Sequence, residues 1–349
     1  MFLLESVIRQ HILTLTPYAS ARDEYTGKEG IFLDANENPF GSVVAGNYNR
    51  YPDPYQWEIK EKLAVIKGVR PTQIFLGNGS DEAIDLLIRA TCEPKEDNII
   101  IMPPTYGMYK VCADIQNTPV QQVPLTNDFQ IDVEGVLKAV NAHTKIIWVC
   151  SPNNPSGNLI ERSSILHILD NFKTGLVVVD EAYIDFADTE SFTKLLDTYP
   201  NLVVLQTFSK AWGLAALRFG MAFASEDLIK VLNKIKYPYN LNQATQTLIL
   251  EAVENEDKKN QYVVNILAER TELAKNLSDL AMVKFIYPSD SNQLLVKFDD
   301  AKAVFKYLIN QKIITRDRSN VQLCEGCIRI SIGSDKDNAA LIAALKAYH

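Results

Sequence analysis

The feature that most constrains the fold of this chain is a repeated order of apolar run, polar loop and helical pattern. Apolar runs at 145–149, 175–179 and 201–206 each end in a polar loop, and a helical pattern at 162–172 separates the first two. Short runs rich in valine and isoleucine are typical of buried strands. Strands that alternate with helices predict an α/β fold with a parallel sheet, and such folds bind ligands at the carboxyl ends of the strands.

Periodic patterns predict the remaining elements on either side of this region. Further strands are expected at 31–34, 74–76, 98–102, 219–224, 283–287, 293–298, 313–315 and 328–332. Helices are expected at 56–67, from the turn at 77–82 to about 91, at 255–280, 301–310 and 335–347, and as an amphipathic arm at 1–12. The last strands and helices together predict a compact α+β unit at the end of the chain.

Length and composition limit the class of protein. The chain has 349 residues, and 47% of them are hydrophobic. A chain of this length usually folds into two closely joined domains. Its net charge of −8 argues against a general nucleic-acid binder. No apolar run approaches the length that spans a membrane. The five cysteines are scattered and odd in number, which is typical of free thiols in a reducing compartment. We therefore expect a cytoplasmic enzyme.

The loop after the run at 201–206 carries a lysine suited to covalent chemistry. Lys210 follows Thr207 and Ser209, and Arg218 comes shortly after it. A desolvated lysine has a lowered pKa and can form a Schiff base, while hydroxyl groups and a guanidinium can bind a phosphate. Taken alone, the same stretch also fits an ordinary solvated lysine in a surface loop.

Asp180 ends a run of three valines, so its carboxylate is expected at a buried strand end. A buried charge of this kind needs a cationic partner. A helix-capping role fits less well, because the residues before it are extended. The chain between Asp180 and Lys210 is long enough for one helix and one strand, which would bring both residues to the same edge of the sheet.

The turn at 77–82 predicts a phosphate site at a helix start. Its sequence is Gly-Asn-Gly-Ser-Asp-Glu, which offers bare backbone N–H groups at the positive end of a helix. Glu82 stands where the dinucleotide fingerprint has a third glycine, so a nicotinamide dehydrogenase is disfavoured. An ordinary capped helix is the alternative, since Asp81 and Glu82 also favour the helix dipole.

Four further features of the sequence have a chemical interpretation. Tyr106 follows a strand and could stack on a flat ring, and Tyr51 is held extended before two prolines, although both also fit packed aromatic residues. Arg329 lies inside an apolar strand pattern, where it needs an anion or a carboxylate. The pair Cys324 and Cys327 has no second pair and few histidines nearby, so no metal site is expected.

Taken together, these stretches resemble the fold-type I aminotransferases that use pyridoxal phosphate, and among them the histidinol-phosphate aminotransferases. The resemblance runs from the N-terminal arm to the strand of Arg329. It rests on the stretches at 17–22, 33–39, 50–52, 151–157 (SPNNPSG), 180–183 and 207–220 (TFSKAWGLAALRFG).

The resemblance implies a fold-type I transferase with a mostly parallel central sheet in a large domain and a smaller α+β domain. Its domains would be an N-terminal arm at 1–45 that belongs with the small domain, a large cofactor domain at 46–245 and a small C-terminal domain at 246–349. It also implies a homodimer with a shared active site.

The resemblance further implies roles for individual residues toward pyridoxal 5′-phosphate. Lys210 would hold the cofactor as a Schiff base and move the proton of the reaction, and Asp180 would pair with the pyridine nitrogen. The other implied ring contacts are Asn154 and Tyr183 at the ring oxygen and Tyr106 on the ring face. At the phosphate, the implied contacts are the backbone amides of Ser80, Asp81 and Glu82, the side chains of Thr207, Ser209 and Arg218, and Tyr51 from a second subunit.

For the substrates, the resemblance implies histidinol phosphate and 2-oxoglutarate, which would give imidazole-acetol phosphate and glutamate in histidine biosynthesis. The implied substrate contacts are Arg329, Arg316, Tyr18 and Asn36. Arg318 lies two residues from Arg316, so which of the two faces the substrate stays open.

Alternatives remain at the level of the sequence. An aminotransferase for aromatic or other amino acids, or a decarboxylase of a phosphorylated amino acid, would use the same cofactor residues. A non-catalytic binding protein of the same fold is also conceivable, but the presence of both Lys210 and Asp180 argues against it.

Overall fold

The computed structural model describes residues 2–18 and 30–348. Its helices are α1 Leu4–Val7, α2 Gln10–Thr14, α3 Trp57–Lys67, α4 Gly79–Thr91, α5 Met108–Ile115, α6 Val133–Ala139, α7 Arg162–Asn171, α8 Glu226–Ile235, α9 Gln243–Val253, α10 Glu256–Ser278, α11 Ala301–Asn310 and α12 Asp335–Lys346. Its strands are β1 Ile74–Asn78, β2 Asn98–Ile101, β3 Val120–Gln122, β4 Thr144–Cys150, β5 Leu176–Asp180, β6 Leu202–Thr207, β7 Phe219–Phe223, β8 Val283–Ile286, β9 Gln293–Phe298, β10 Arg316–Asp317 and β11 Cys327–Ser331. No helix in these two ranges is long and apolar enough to cross a membrane.

The larger sheet has seven strands in the order β1-β7-β6-β5-β4-β2-β3. The pairs from β6 through β5, β4 and β2 to β3 are parallel, and β7 runs antiparallel to both of its neighbours. The carboxyl ends of β4, β5 and β6 therefore meet at one edge. The expectation of an α/β fold with a mostly parallel sheet is confirmed.

Both faces of this sheet are buried, which explains why its strands read as continuous apolar runs. In β5, Val177 and Val179 contribute to one core cluster, while Leu176 and Val178 contribute to the other. Successive side chains of a strand point to opposite faces, so a single run fills two cores. Each fully buried side chain of this kind stabilises the fold by about 1.5–3 kcal/mol.

The smaller sheet has four antiparallel strands in the order β10-β11-β9-β8. Residues of α10, α11 and α12 pack with its strands in a core cluster of their own. A separate core is what the predicted C-terminal α+β unit requires. The domain boundaries at 45/46 and 245/246 stay predictions.

The N-terminal arm packs on the larger sheet's helices, which differs from its expected place with the small domain. Val7, Ile8 and Ile12 join the core cluster that contains residues of α4 and α8. Nζ of Lys234 in α8 donates to the carbonyl oxygen of Ile12 over 2.9 Å. Instead of one helix the arm forms α1 and α2, because the backbone at Ile8 and Arg9 is extended.

Two predicted strands are wrong. The run at 31–34 has no regular structure, and Ile31 and Leu33 are 91% and 89% exposed, because nothing within the described ranges pairs with it. The strand expected at 313–315 begins only at Arg316, where pairing with β11 starts. The patterns also missed α5, β3 and α6. The stretch at 19–22, which contributes to the resemblance, lies outside the described residues.

Candidate active site

A cavity of about 670 Å³ opens where β4, β5 and β6 end and where the smaller sheet faces the larger one. Residues from both sheets line it. The predicted site residues among them are Ser80, Asp81, Tyr106, Asn154, Asp180, Tyr183, Thr207, Ser209, Lys210, Arg218, Arg316 and Arg329, and Arg318 joins them. The fold therefore gathers most of the predicted set in one place, as expected for an α/β sheet with its ligand at the strand ends.

Asp180 is the last residue of β5, and its carboxylate is buried at the base of the cavity. Burial raises the pKa of Asp180 to about 6. Its Oδ1 accepts the backbone N–H of Ala182 over 3.1 Å, and its Oδ2 accepts the hydroxyl of Tyr109 over 2.7 Å. Within the described chain no lysine or arginine forms an ion pair with this carboxylate, so it is a buried anion that lacks a cationic partner.

Lys210 follows β6 and directs its amine into the open cavity. Its Nζ lies 5.4 Å from the ring centroid of Tyr183. Desolvation by the surrounding protein, and then the positive charge of Arg329, lower the pKa of Lys210, while Asp180 opposes the shift. A lysine with a lowered pKa is more often unprotonated near neutral pH, as a nucleophile or a base requires.

An anion cradle forms where α4 begins beside β7. The first N–H groups of α4 lack helical partners, and Ser80 and Asp81 are among them. A Cβ at Gly220 would collide with the backbone nitrogen of Ser80, so only glycine lets β7 approach this helix start. Arg218 completes the cradle: its guanidinium lies 3.5 Å from Oγ of Ser209 and 3.2 Å from the carboxylate of Asp81.

The carboxylate of Asp81 is satisfied by protein groups on two sides. It accepts the hydroxyl of Tyr106 over 3.0 Å in addition to the guanidinium of Arg218. The bond from its hydroxyl holds the ring of Tyr106 at the wall of the cavity. The acidic side chain is therefore compatible with an anion bound by the backbone of the same turn.

Asn154 connects the two sheets. Its side-chain N–H donates to the hydroxyl oxygen of Tyr183 over 3.3 Å, and its side-chain oxygen accepts the guanidinium of Arg329 over 2.7 Å. Burial raises the pKa of Tyr183 above its ordinary value. The phenol therefore stays protonated at neutral pH.

A cluster of guanidinium groups covers the opposite wall. Arg316 lies directly across from Arg329 in the β10–β11 pair. Arg318, two residues after Arg316, also lines the cavity. The Nε atoms of Arg318 and Arg329 are buried and have no hydrogen-bond partner. Burial, and then the charges of Arg329 and Arg316, lower the pKa of Arg318. None of the three pairs with a described carboxylate, so the cluster suits a ligand with more than one negative charge.

Four predicted residues do not line this cavity. Glu82 accepts the backbone N–H of Asn78 and the side-chain N–H of Asn240, so it caps its own helix start. Tyr51 is half-exposed and stacks on Tyr239, with ring centroids 4.6 Å apart. Tyr18 and Asn36 are also exposed.

The sequence patterns missed Tyr109, which is fully buried beside Asp180. It lies three residues after Tyr106, and the two rings meet edge to face with centroids 5.6 Å apart. A buried phenol needs a hydrogen-bond partner. That requirement, together with the position of α5 next to the strand ends, is the signal that could have identified it.

Cys324 and Cys327 are buried free thiols. Burial raises the pKa of Cys324 to about 12 and that of Cys327 to about 11. Neither thiol is therefore ionised near neutral pH, and their reactivity is low.

A family model described as aminotransferase class I and II matches residues 31–345. Among curated relatives, a histidinol-phosphate aminotransferase of Cytophaga hutchinsonii is 55% identical over 347 residues, which cover 99% of both chains. One of the same name from Parabacteroides distasonis is 52% identical and covers 98% of both chains.

Solved structures have the same fold. Histidinol-phosphate aminotransferase from Sinorhizobium meliloti, determined in complex with pyridoxal-5′-phosphate, aligns with a TM-score of 0.80 and 25% identity over 90% of this chain and 89% of that one. The L-threonine-O-3-phosphate decarboxylase of Porphyromonas gingivalis aligns with a TM-score of 0.73 over 86% of this chain and 90% of that one. At 22% identity, the second likeness shows the fold alone.

Proposed function

Since the chain belongs to the class I and II aminotransferases, we propose that it transfers the amino group of L-histidinol phosphate to 2-oxoglutarate. The products are imidazole-acetol phosphate and L-glutamate, and the reaction is a step of histidine biosynthesis. Relatives at 52–55% identity over nearly the whole chain carry the name of this activity. The observation on this molecule that carries the proposal is that one cavity holds Lys210, a buried carboxylate and a cluster of guanidinium groups, and that this carboxylate and these guanidinium groups form no ion pair within the described residues.

The cofactor is pyridoxal 5′-phosphate, and the cavity suits its three functional parts. When bound, this group supplies an aldehyde that takes up the substrate nitrogen and a ring that draws electron density from the substrate Cα. The buried carboxylate of Asp180 lacks a cation, and a protonated pyridine nitrogen would provide one. The free N–H groups at the start of α4, with Ser209, Thr207 and Arg218, form the phosphate cradle. Tyr106 provides a ring face at the cavity wall.

Lys210 has two tasks in this proposal. Its Nζ would hold the cofactor through the aldehyde group when no substrate is present. Once free again, Nζ would move the proton of the reaction, as the base at the substrate Cα. The lowered pKa of Lys210 increases the fraction of its amine that is unprotonated, and so able to accept a proton, at neutral pH.

Asp180, Asn154 and Tyr183 orient the ring in this proposal. Asp180 keeps a negative charge beside the ring nitrogen, which stabilises the protonated ring. Asn154 and Tyr183 already lie within hydrogen-bond distance of each other. Both present polar atoms to the cavity, where the ring's 3-hydroxyl oxygen would accept from them.

The guanidinium cluster recognises the distal anion of the substrate. A phosphate dianion has three oxygens that accept hydrogen bonds, which matches several guanidinium groups better than a single carboxylate does. Arg329 and Arg316 are the proposed primary contacts. Tyr18 and Asn36 are proposed as further substrate contacts. Both are exposed in the single chain, and we propose that they reach the substrate once a second subunit covers the N-terminal segment.

We also propose a homodimer with a shared active site. The segment after residue 30 exposes large apolar side chains, including Ile31 at 91% and Phe40 at 96%. We infer from these exposed apolar side chains that the segment contacts a second copy of the chain. Tyr51 lies at the end of the same segment, from which its hydroxyl would reach the phosphate cradle of the second copy.

The test is a half-reaction titration. The cofactor-loaded protein is mixed in turn with histidinol phosphate, phenylalanine and threonine phosphate, and the cofactor absorbance is followed. Conversion of the cofactor to its aminated form by histidinol phosphate, far faster than by the other two, supports the proposal. Conversion by phenylalanine alone would indicate an aromatic aminotransferase, and release of CO₂ from threonine phosphate would indicate a decarboxylase.

A further inference from the structure

Tyr109 lies directly behind the carboxylate of Asp180, on the side away from the cavity. Its hydroxyl donates to Oδ2 of Asp180 over 2.7 Å, and its side chain is completely buried. Its ring stacks on Trp148 of β4, with centroids 4.7 Å apart and planes inclined by 13°. Because the ring is attached to α5 and stacks on β4, its hydroxyl has little freedom to move.

The proton of this hydrogen bond belongs to the phenol. Burial, and then the negative charge of Asp180, raise the pKa of Tyr109 above its ordinary value. A phenol that cannot ionise is a permanent donor, and a charged acceptor makes the bond short and strong. The pair is therefore a fixed O–H donor and a carboxylate acceptor.

The two oxygens of Asp180 are each held by one group from the protein. Oδ1 accepts the N–H of Ala182, and Oδ2 accepts the hydroxyl of Tyr109. These two bonds fix the plane of the carboxylate and leave its remaining lone pairs for the cavity. The packing of Tyr109 on Trp148 thus determines where Asp180 points.

We propose that Tyr109 is a positioning residue that aims Asp180 and keeps it ionised toward the ring nitrogen of the cofactor. The inference rests on the proposed function in one respect, namely that the cofactor ring occupies this cavity. Tyr109 itself touches neither substrate nor cofactor in this account. It acts through Asp180.

Several titratable groups surround Asp180 and enter any pH dependence. They are Tyr109 of α5, Cys150 of β4, Asp81 of α4, Lys210 after β6, and the phenols of Tyr106 and Tyr183. Tyr109 stabilises the ionised form of Asp180, while Asp81 opposes it. Loss of the Tyr109 hydroxyl therefore raises the pKa of Asp180, and the low-pH limit of cofactor binding moves upward.

The test is the variant Tyr109→Phe, which keeps the ring and its stack on Trp148 but removes the hydroxyl. We expect cofactor affinity, measured by titrating cofactor-free protein, to fall by about 10- to 100-fold, the worth of a hydrogen bond to a charged group. The acid limb of a plot of affinity against pH should move to higher pH. The matched control is Tyr307→Phe, which removes a hydroxyl that donates to the carbonyl oxygen of Ala344 in the smaller unit. This control should leave both readouts unchanged.

A double-mutant cycle shows whether the effect passes through Asp180. In an Asp180→Asn background, Tyr109→Phe should cause little further loss of affinity, because the charge it supports is gone. The proposal would be overturned if the double variant lost cofactor affinity by the product of the two single losses. It would also be overturned if Tyr109→Phe had wild-type affinity and pH dependence.

A second replacement covers the case in which Tyr109→Phe does not fold. With 3-fluorotyrosine at position 109 the phenol is more acidic and donates a stronger bond, so the acid limb should move to lower pH. An unchanged limb would contradict the proposal. If the wild-type protein fails to convert histidinol phosphate while Tyr109→Phe still weakens cofactor binding, the proposed substrate is wrong and the role of Tyr109 stands.

Discussion

The guanidinium of Arg329 donates to the side-chain oxygen of Asn154 over 2.7 Å and so joins β11 of the smaller sheet to the loop after β4. The amide of Asn154 in turn donates to the hydroxyl of Tyr183. A hydrogen-bonded chain therefore runs from the proposed substrate anion site to the proposed ring site. Binding in one of the two sites must affect groups of the other.

Replacement of Asn154 by alanine tests this chain. Removing one amide leaves both Arg329 and Tyr183 without their partner, so we expect weaker cofactor binding and a higher KM for histidinol phosphate, each by about tenfold. The measurement combines a cofactor titration with donor kinetics. As a control, Asn276→Ala removes an exposed amide of α10 that bonds only within its own helix. A rise in KM with unchanged cofactor affinity would contradict the linkage.

The second prediction concerns Arg318. Its buried, unpartnered Nε and its place in the cavity predict a direct contact with the phosphate dianion. Arg318→Gln should raise the KM for histidinol phosphate by about tenfold or more and the KM for glutamate by less, because a carboxylate carries a single charge. Arg70→Gln, which breaks exposed ion pairs with Asp197 and Glu226, should change neither value. Equal increases for the two donors would show that Arg318 does not distinguish phosphate from carboxylate.

The third prediction concerns the shared site. If the hydroxyl of Tyr51 reaches the phosphate cradle of a second copy, Tyr51→Phe should weaken cofactor binding by about tenfold without changing the oligomeric state. Tyr262→Phe, at an exposed position of α10, serves as the control. Sedimentation of the active protein should show a dimer. Monomers with full activity would refute the shared site.

The fourth prediction is a pH effect on the cofactor-free protein. Burial raises the pKa of Asp180 from 3.8 to about 6 in the folded chain. The folded state binds the proton of Asp180 more tightly than the unfolded state does. The stability that this proton contributes to the folded state is therefore fully present below pH 3.8 and is lost as the pH rises through about 6. Above pH 7, Asp180→Asn should therefore be more stable than the wild type, by on the order of 1–3 kcal/mol.

Urea unfolding of both cofactor-free proteins from pH 5 to pH 8 measures this difference. The gap should widen as the pH rises, and excess cofactor should narrow it by binding the folded wild type. Asp299→Asn, which removes an exposed partner of Lys284, should show no such trend. Parallel stability curves for wild type and Asp180→Asn would contradict the raised pKa.

Much of this arrangement is visible in the sequence, because the strands of the larger sheet are buried on both faces. Continuous apolar runs such as 176–180 have few alternative structures, and the polar loops that follow them carry Asp180 and Lys210. Parallel strands bring their carboxyl ends to one edge, so the site follows from the order of the runs.

The errors arise where long-range contacts decide the structure. The run at 31–34 has the composition of a strand but lacks a pairing partner among the described residues. The short helix that carries Tyr109 and the two-residue strand β10 have too few residues for a clear period. The predicted phosphate contact of Glu82 is through its backbone N–H, whereas its carboxylate caps the turn at Asn78. Contacts with distant residues such as Asn240 cannot be read from local spacing.

The most direct test of the central claim is the half-reaction of Lys210→Ala with histidinol phosphate. We expect this variant to convert the cofactor at least about 100-fold more slowly than the wild type, because Lys210 is the proposed base. Lys302→Ala, at an exposed position of α11, should react like the wild type. Conversion by Lys210→Ala at the wild-type rate would contradict the assignment of this lysine and the mechanism built on it.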